Sequence, residues 1–255
     1  MDDFGSRFVG QIAAALILAI IPFSAVAETI VVAVEDKDWA PYYFWVDGIP
    51  TGPCPEIVSG TVRLMGDQVE FQRYPWVRVL KSVEEKKVDA GLCGTKTDER
   101  AAYSHYPQEP LLYYDATLFV RVDSPLTTSD FSELQGKSFG MIKGYTFAGV
   151  DDDLEAAGAI RIETNNRDNL LNLLTLGRID SVLDSSLPLL ADARRMDLAE
   201  TIRPLLPTLD ETPGYLFFSR KPGHSDLAIR FSEALRAFKK TPEYQGIQKR
   251  YGLRN

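Results

Sequence analysis

Short β-branched runs alternate with amphipathic stretches, twice along the chain, and this pattern constrains the fold more than any other feature. Thr29–Val34 reads as a buried strand, followed by a polar and aromatic loop, Glu35–Pro53. A helix is predicted over Pro55–Met65, with proline in its first turn and Gly66 just past its end. Val69–Tyr74 is a second strand. Trp76–Lys86 is helical, with Val77, Leu80 and Val83 on one face, and Val88–Cys93 is a third strand. Such a β-α-β-α-β order calls for parallel strands joined by crossover helices. Thr117–Val122 is a further strand, broken by Asp123-Ser124-Pro125. The alternation then restarts: strand Ser138–Ile142, helix Phe147–Ala157, strand Arg161–Glu163, helix Arg167–Leu176, strand Ser181–Leu183 and helix Leu187–Arg195. Tyr215–Ser219 is again a strand, and Asp226–Lys239 and Pro242–Tyr251 are helices that need a sheet to cover. Two α/β units with strands at both junctions predict a chain that crosses between two lobes twice. The expected division is 28–120 with 215–255 in lobe one and 121–214 in lobe two, with a two-strand hinge and a cleft between them. Ligands of open α/β sheets bind beyond the carboxyl ends of the strands, so the loops after each strand are the places to search.

The N-terminus bears on compartment. Residues 12–23 form a short apolar run, and Ala25-Val26-Ala27 follows with small residues at the positions a signal peptidase reads. A signal peptide over 1–27, cleaved after Ala27, and a periplasmic location are therefore expected. The run is short for a membrane span, and no cysteine follows the cleavage site to carry a lipid. The formal net charge is −8, with no basic block, which argues against nucleic acid as a partner. The two histidines, His105 and His224, lack ligand-like spacing, so no metal or cofactor is expected. An exported chain with two cysteines, Cys54 and Cys93, favours one disulfide over two buried thiols.

Four loops stand out: Glu35–Tyr42, Gly94–Arg100, Lys143–Phe147 and Asp184–Ser186. Around them, Trp39-Ala40-Pro41-Tyr42, Val88-Asp89-Ala90-Gly91 followed by Thr97-Asp98-Glu99-Arg100, Leu134-Gln135-Gly136-Lys137 with Lys143-Gly144-Tyr145-Thr146, Gly177–Val182 and Ile247–Gly252 occur in an order and spacing that covers the chain beyond residue 27. In these motifs the sequence resembles the extracellular solute-binding proteins of family 3, the polar amino-acid type of periplasmic binding protein. The resemblance implies the two-lobed α/β binding-protein fold of type II, closing on one small molecule.

The resemblance also implies roles. Arg100 would pair with a ligand carboxylate, which a planar guanidinium suits, and Thr95 would donate to the same carboxylate. Trp39 would stack over the ligand. Thr146 would sit at a helix N-terminus, where free N–H groups favour an anion. Asp36 is a further polar candidate. Trp76 and Arg78 follow a Tyr74-Pro75 step and would either line the cleft or pack the start of a helix. The family usually has an aspartate for an α-ammonium where this chain has Ser185, with Asp184 one residue earlier and so pointing to the other side of a strand. Asp180 is read as structural. Pro53-Cys54-Pro55-Glu56 departs from the family pattern, and in this fold Cys54 and Cys93 would approach each other, so a Cys54–Cys93 disulfide beside the cleft is expected.

The leading expectation is a non-catalytic, monomeric receptor that captures a small carboxylate-bearing solute, an amino acid or relative, and delivers it to an inner-membrane ABC permease. One alternative is an exported dehydratase on the same fold, acting on prephenate-like cyclic acids, with Asp184, Glu56 or Asp36 as the acid. Another is an accessory or sensory module with a degenerate cleft. No Ser-His-Asp or Cys-His arrangement is legible.

Overall fold

A computed structural model describes residues 27–253, so the expected leader lies outside the described residues except for Ala27. Strand β1 (Thr29–Glu35) leads to a hairpin, β2 (Phe44–Val46) and β3 (Ile49–Thr51), then α1 (Pro53–Leu64), β4 (Gln68–Tyr74), α2 (Trp76–Glu84), β5 (Ala90–Thr95), α3 (Asp98–Tyr103), β6 (Ser104–His105) and β7 (Leu112–Arg121). Next come β8 (Ser138–Ile142), α4 (Val150–Ala156), β9 (Ile160–Thr164), α5 (Arg167–Thr175), β10 (Ser181–Asp184), α6 (Ser186–Arg195), β11 (Ile202–Pro204) and β12 (Asp210–Ser219). Helices α7 (His224–Phe238) and α8 (Pro242–Tyr251) close the described chain.

The strands order as β4-β1-β5-β12-β7-β10-β8-β9. The outer pairs, β1 with β4 and β5, and β8 with β10 and β9, are parallel, as crossover helices require. The two central strands are antiparallel to each other and to their neighbours. Leu112–Ala116 of β7 pairs with Asp210–Gly214 of β12. Beyond that segment the strands part company. Phe217 and Phe218 of β12 pair with Gly91 and Ala90 of β5, while Thr117–Phe119 of β7 pairs with Asp184–Val182 of β10. Each central strand therefore serves both halves of the sheet.

Side-chain size sets the contacts behind the sheet. In β5, Gly91 and Gly94 lie flat against the Phe217 ring, so close that a Cβ would come within 2.2 and 2.4 Å of it. Gly60 in α1 makes the same kind of room for Phe238 of α7. Glu56 takes hydrogen bonds from Arg250 and Tyr251 of α8, tying that helix to α1. Cys54 of α1 and Cys93 of β5 form a disulfide with a Cα–Cα distance of 6.3 Å. A second core packs Phe119, Leu170, Leu174, Val182 and Leu189 under β8 and β10.

Several local expectations change. The Glu35–Pro53 loop contains the β2–β3 hairpin, which turns at Asp47-Gly48, both with positive φ. Pro50 in so short a run masks it as a strand. Helix α4 starts at Val150 rather than Phe147, because Asp151 accepts the Phe147 N–H and the Thr146 hydroxyl and holds both in the preceding loop. Strands β7 and β12 begin five residues before the expected Thr117 and Tyr215, at Leu112 and Asp210.

Candidate functional site

Arg100 is placed by the helix that carries it. Thr97 caps α3 by accepting the Arg100 backbone N–H at 3.1 Å. That fixes Arg100 on the first turn, just beyond the carboxyl end of β5. Its side chain is turned inward, and the residue is only 6% exposed. Nη1 donates to the Thr95 carbonyl at 2.9 Å and Nη2 to the Gly144 carbonyl at 2.5 Å. The guanidinium stands 5.6 Å from the Trp76 ring centroid. Thr95 comes from β5 and Gly144 from the loop after β8, so one side chain reaches both halves of the sheet.

A small cavity surrounds it. Trp39, Tyr43, Trp76, Cys93, Thr95, Arg100 and Tyr114 line one side, and Tyr145, Thr146 and Phe147 line the other. Its free space is about 20 Å³, room for a water or two. The walls are aromatic: Trp39 packs on Tyr42, Tyr43 and Tyr114 at centroid separations of 4.5, 5.5 and 4.8 Å. Tyr114 shares a short hydrogen bond with Thr95, and burial pushes its phenol up to about 12. The Trp76 Nε1–H donates to the Gly144 carbonyl at 2.9 Å. The Trp39 Nε1–H is buried and has no partner among the described residues.

Tyr145 divides this cavity from a second, polar one lined by Glu35, Lys37, Asp38, Arg167, Asp192 and Arg195. Glu35 Oε2 accepts the Tyr43 hydroxyl at 2.6 Å and the Tyr145 hydroxyl at 2.7 Å. Burial raises the Glu35 pKa, against the pull of those two hydroxyls and of Arg167. Burial likewise raises both tyrosines well above the ordinary phenol value. Arg167, at 4% exposure, forms a two-pronged pair with Asp184, at 1%, with Nε–Oδ2 2.8 Å and Nη2–Oδ1 3.2 Å. Burial works against the Arg167 charge, and Asp184, Tyr145 and Glu35 together more than restore it.

The structure sorts the residues singled out from the sequence. Trp39, Thr95, Arg100, Thr146 and Trp76 line the cavity together, beside the Cys54–Cys93 bridge. Thr146 does so from a loop, not from a helix N-terminus, and its hydroxyl proton goes to Asp151 at 2.9 Å. Asp36 lies outside the lining, half-buried, with its carbonyl accepting from Arg73. Asp184 is held by Arg167 and by the Ser185 N–H. Ser185 is buried at the start of α6, and its hydroxyl is unpaired among the described residues. Arg78 is exposed, Glu56 is bound to α8, and Asp180 holds Ser138 at the start of β8. Sequence reading placed Glu35 and Phe147 in notable loops without giving them a role, and passed over Tyr43, Tyr114 and Arg167. The inward alternation of Leu112, Tyr114 and Ala116 is the signal that marks Tyr114.

Comparison with known proteins adds four likenesses. The model of the bacterial extracellular solute-binding proteins, family 3, matches residues 30–254. The L-arginine-binding protein of Pseudomonas aeruginosa is 24% identical over 213 residues, spanning 80% of each protein. Among solved structures, a histidine kinase sensor domain with similarity to periplasmic binding proteins superposes with a TM-score of 0.75 at 24% identity, covering 88% of this chain and 96% of that one. An ancestral arginine-binding protein bound to arginine superposes with a TM-score of 0.72 at 21% identity, covering 88% and 97%.

Proposed function

For a chain that belongs to the bacterial extracellular solute-binding proteins, family 3, and has their two-lobed α/β fold, we propose the role of an exported receptor that captures a small carboxylate-bearing solute by lobe closure. In this reading the lobes are 28–120 with 215–255 and 121–214, joined through β7 and β12. The leader is removed after Ala27 in the periplasm. The closed monomer hands its solute to an ABC permease in the inner membrane and performs no chemistry on it.

One observation carries the reading. Arg100 is a buried cation at the junction of the two halves, inside an aromatic cavity, and it spends two of its N–H groups on carbonyls. A guanidinium has five, so three remain for a carboxylate. A ligand that bridges Arg100 and the Tyr145–Phe147 segment favours the closed state by contacts it cannot make in the open one. The likeness to a histidine kinase sensor domain supports a second reading, in which the same closure is read by a signalling partner.

Melting of the mature protein against amino acids, polyamines and cyclic carboxylic acids, with each compound recovered and checked for change, tests the proposal. A ligand at 100 times its Kd adds about 2.7 kcal/mol, a shift of several degrees for a chain of this size. Arg100→Ala is expected to lose that shift. An undiminished shift in the variant would remove Arg100 as the anchor, and a consumed compound would make the protein an enzyme.

A further inference from the structure

We infer that the solute is longer than one amino acid: a short basic peptide whose terminal carboxylate lies on Arg100 and whose backbone and cationic groups lie in a groove that Arg100 also lines. This rests on the reading of Arg100 as the carboxylate anchor and names a class of solute for it.

The room beside Arg100 is unequally divided. The aromatic cavity has about 20 Å³ of free space. The groove has about 590 Å³, within the roughly 300–1,000 Å³ usual for small-molecule sites. Its walls come from both halves. Leu80 of α2 and Asp98 and Tyr103 of α3 stand on one side, and the segment from Gly144 to Asp152 and Glu163 of β9 stand on the other. An occupant therefore touches both halves. Arg100, 6% exposed, lines the cavity and the groove alike, and its Nε–H has no partner among the described residues.

Ion pairing leaves the groove negative. Arg161 is taken by Asp151, Asp152 and Glu155. Besides Arg100, the charged lining residues left without an ion pair among the described residues are Asp98, Glu99 and Glu163 against Lys96. All four are exposed, so a ligand cation beside the acids keeps part of its water and gains their attraction. Arg100 calls for the opposite charge. The loop between the two offers backbone donors: the N–H groups of Thr146 and Ala148, both lining the groove, donate to nothing among the described residues. Peptide carbonyls are the acceptors that such groups take. Peptide bonding also moves the ammonium away from the carboxylate. Both changes suit a groove with a buried cation, free loop donors and acids on its two walls.

Titration calorimetry on the mature protein tests this with the peptides Lys-Gly and Lys-Gly-Gly, their C-terminal amides, Glu-Gly, and free lysine, arginine and glycine. The better lysyl peptide is expected to bind about tenfold or more tighter than Glu-Gly and than any free amino acid, and its amide to lose about tenfold or more. Asp98→Asn and Glu163→Gln, on opposite walls and with folds verified by circular dichroism, are each expected to weaken that peptide by about 2- to 5-fold. Tighter binding of free lysine or arginine, binding by neither lysyl peptide, or full affinity in both variants overturns the inference. Should a free amino acid bind best and Arg100→Ala abolish its binding, the Arg100 anchor stands while this inference falls. Peptide binding indifferent to amidation and to Arg100→Ala defeats the anchor, and the inference with it.

Discussion

Glu35 is an acid held where water is scarce, and its two tyrosine partners stabilise its charge without neutralising it. Burial is the largest influence and raises its pKa above the ordinary 4.5. In the window above that value the folded protein binds more protons at this site than the unfolded chain does. Its contribution to stability therefore falls as pH rises through the window, and the penalty is absent below it. Glu35→Gln removes the titration and keeps an acceptor oxygen. Urea denaturation is expected to show the variant gaining on the wild type as pH is raised from 4 to 7. A difference that stays constant with pH would place the ionisation cost elsewhere. Sequence reading stopped at Asp36, the neighbouring acid. The strand puts the two on opposite sides, and only Glu35 is turned towards Tyr43 and Tyr145.

Among the elements, β5 depends most on residues too small to be noticed in a hydrophobic pattern. Gly91 and Gly94 leave a flat surface for Phe217, and a methyl group at Gly91 would fall 2.2 Å from that ring. Gly91→Ala is expected to cost about 1–3 kcal/mol by overpacking. Gly246→Ala in α8, with nothing within 4 Å of the new Cβ, is expected to gain about 0.5–1 kcal/mol from backbone entropy. The two denaturation midpoints should thus move in opposite directions, and a neutral Gly91→Ala would mean that Phe217 swings aside. Element order was largely legible because burial on one face leaves a period in the sequence. The start of α4 was not, because the Asp151 side chain takes the loop N–H of Phe147, and a local hydrogen bond of that kind leaves no period.

At the scale of the molecule, three hydrogen bonds among the described residues tie the cleft side of one half to the other: Tyr145 to Glu35, Arg100 to Gly144 and Trp76 to Gly144. They hold the halves together around a small cavity, and in the proposed reading binding exchanges some of these contacts for ligand contacts. Tyr145→Phe removes one hydroxyl and leaves the ring between Trp76 and Arg167. It is expected to cost about 1 kcal/mol of closure and to enlarge the radius of gyration of the ligand-free protein in small-angle scattering. An unchanged radius would assign the closure to the two Gly144 contacts.

The sequence alone determined the α/β class, most of the strand and helix order and the presence of Arg100 just beyond a strand end, because each is written in local periodicity and loop chemistry; it left out the β2–β3 hairpin, α3, β6 and β11. Tertiary structure decided which charges are available. Asp184 and Arg167, 17 residues apart, cancel each other inside the second half. Glu35 and Tyr145, 110 residues apart, meet across the two halves. The Trp39 Nε1–H is left without a partner. The strength of a buried charge or donor depends on the partners that folding brings to it and on the water that folding removes, and neither is encoded by neighbours along the chain.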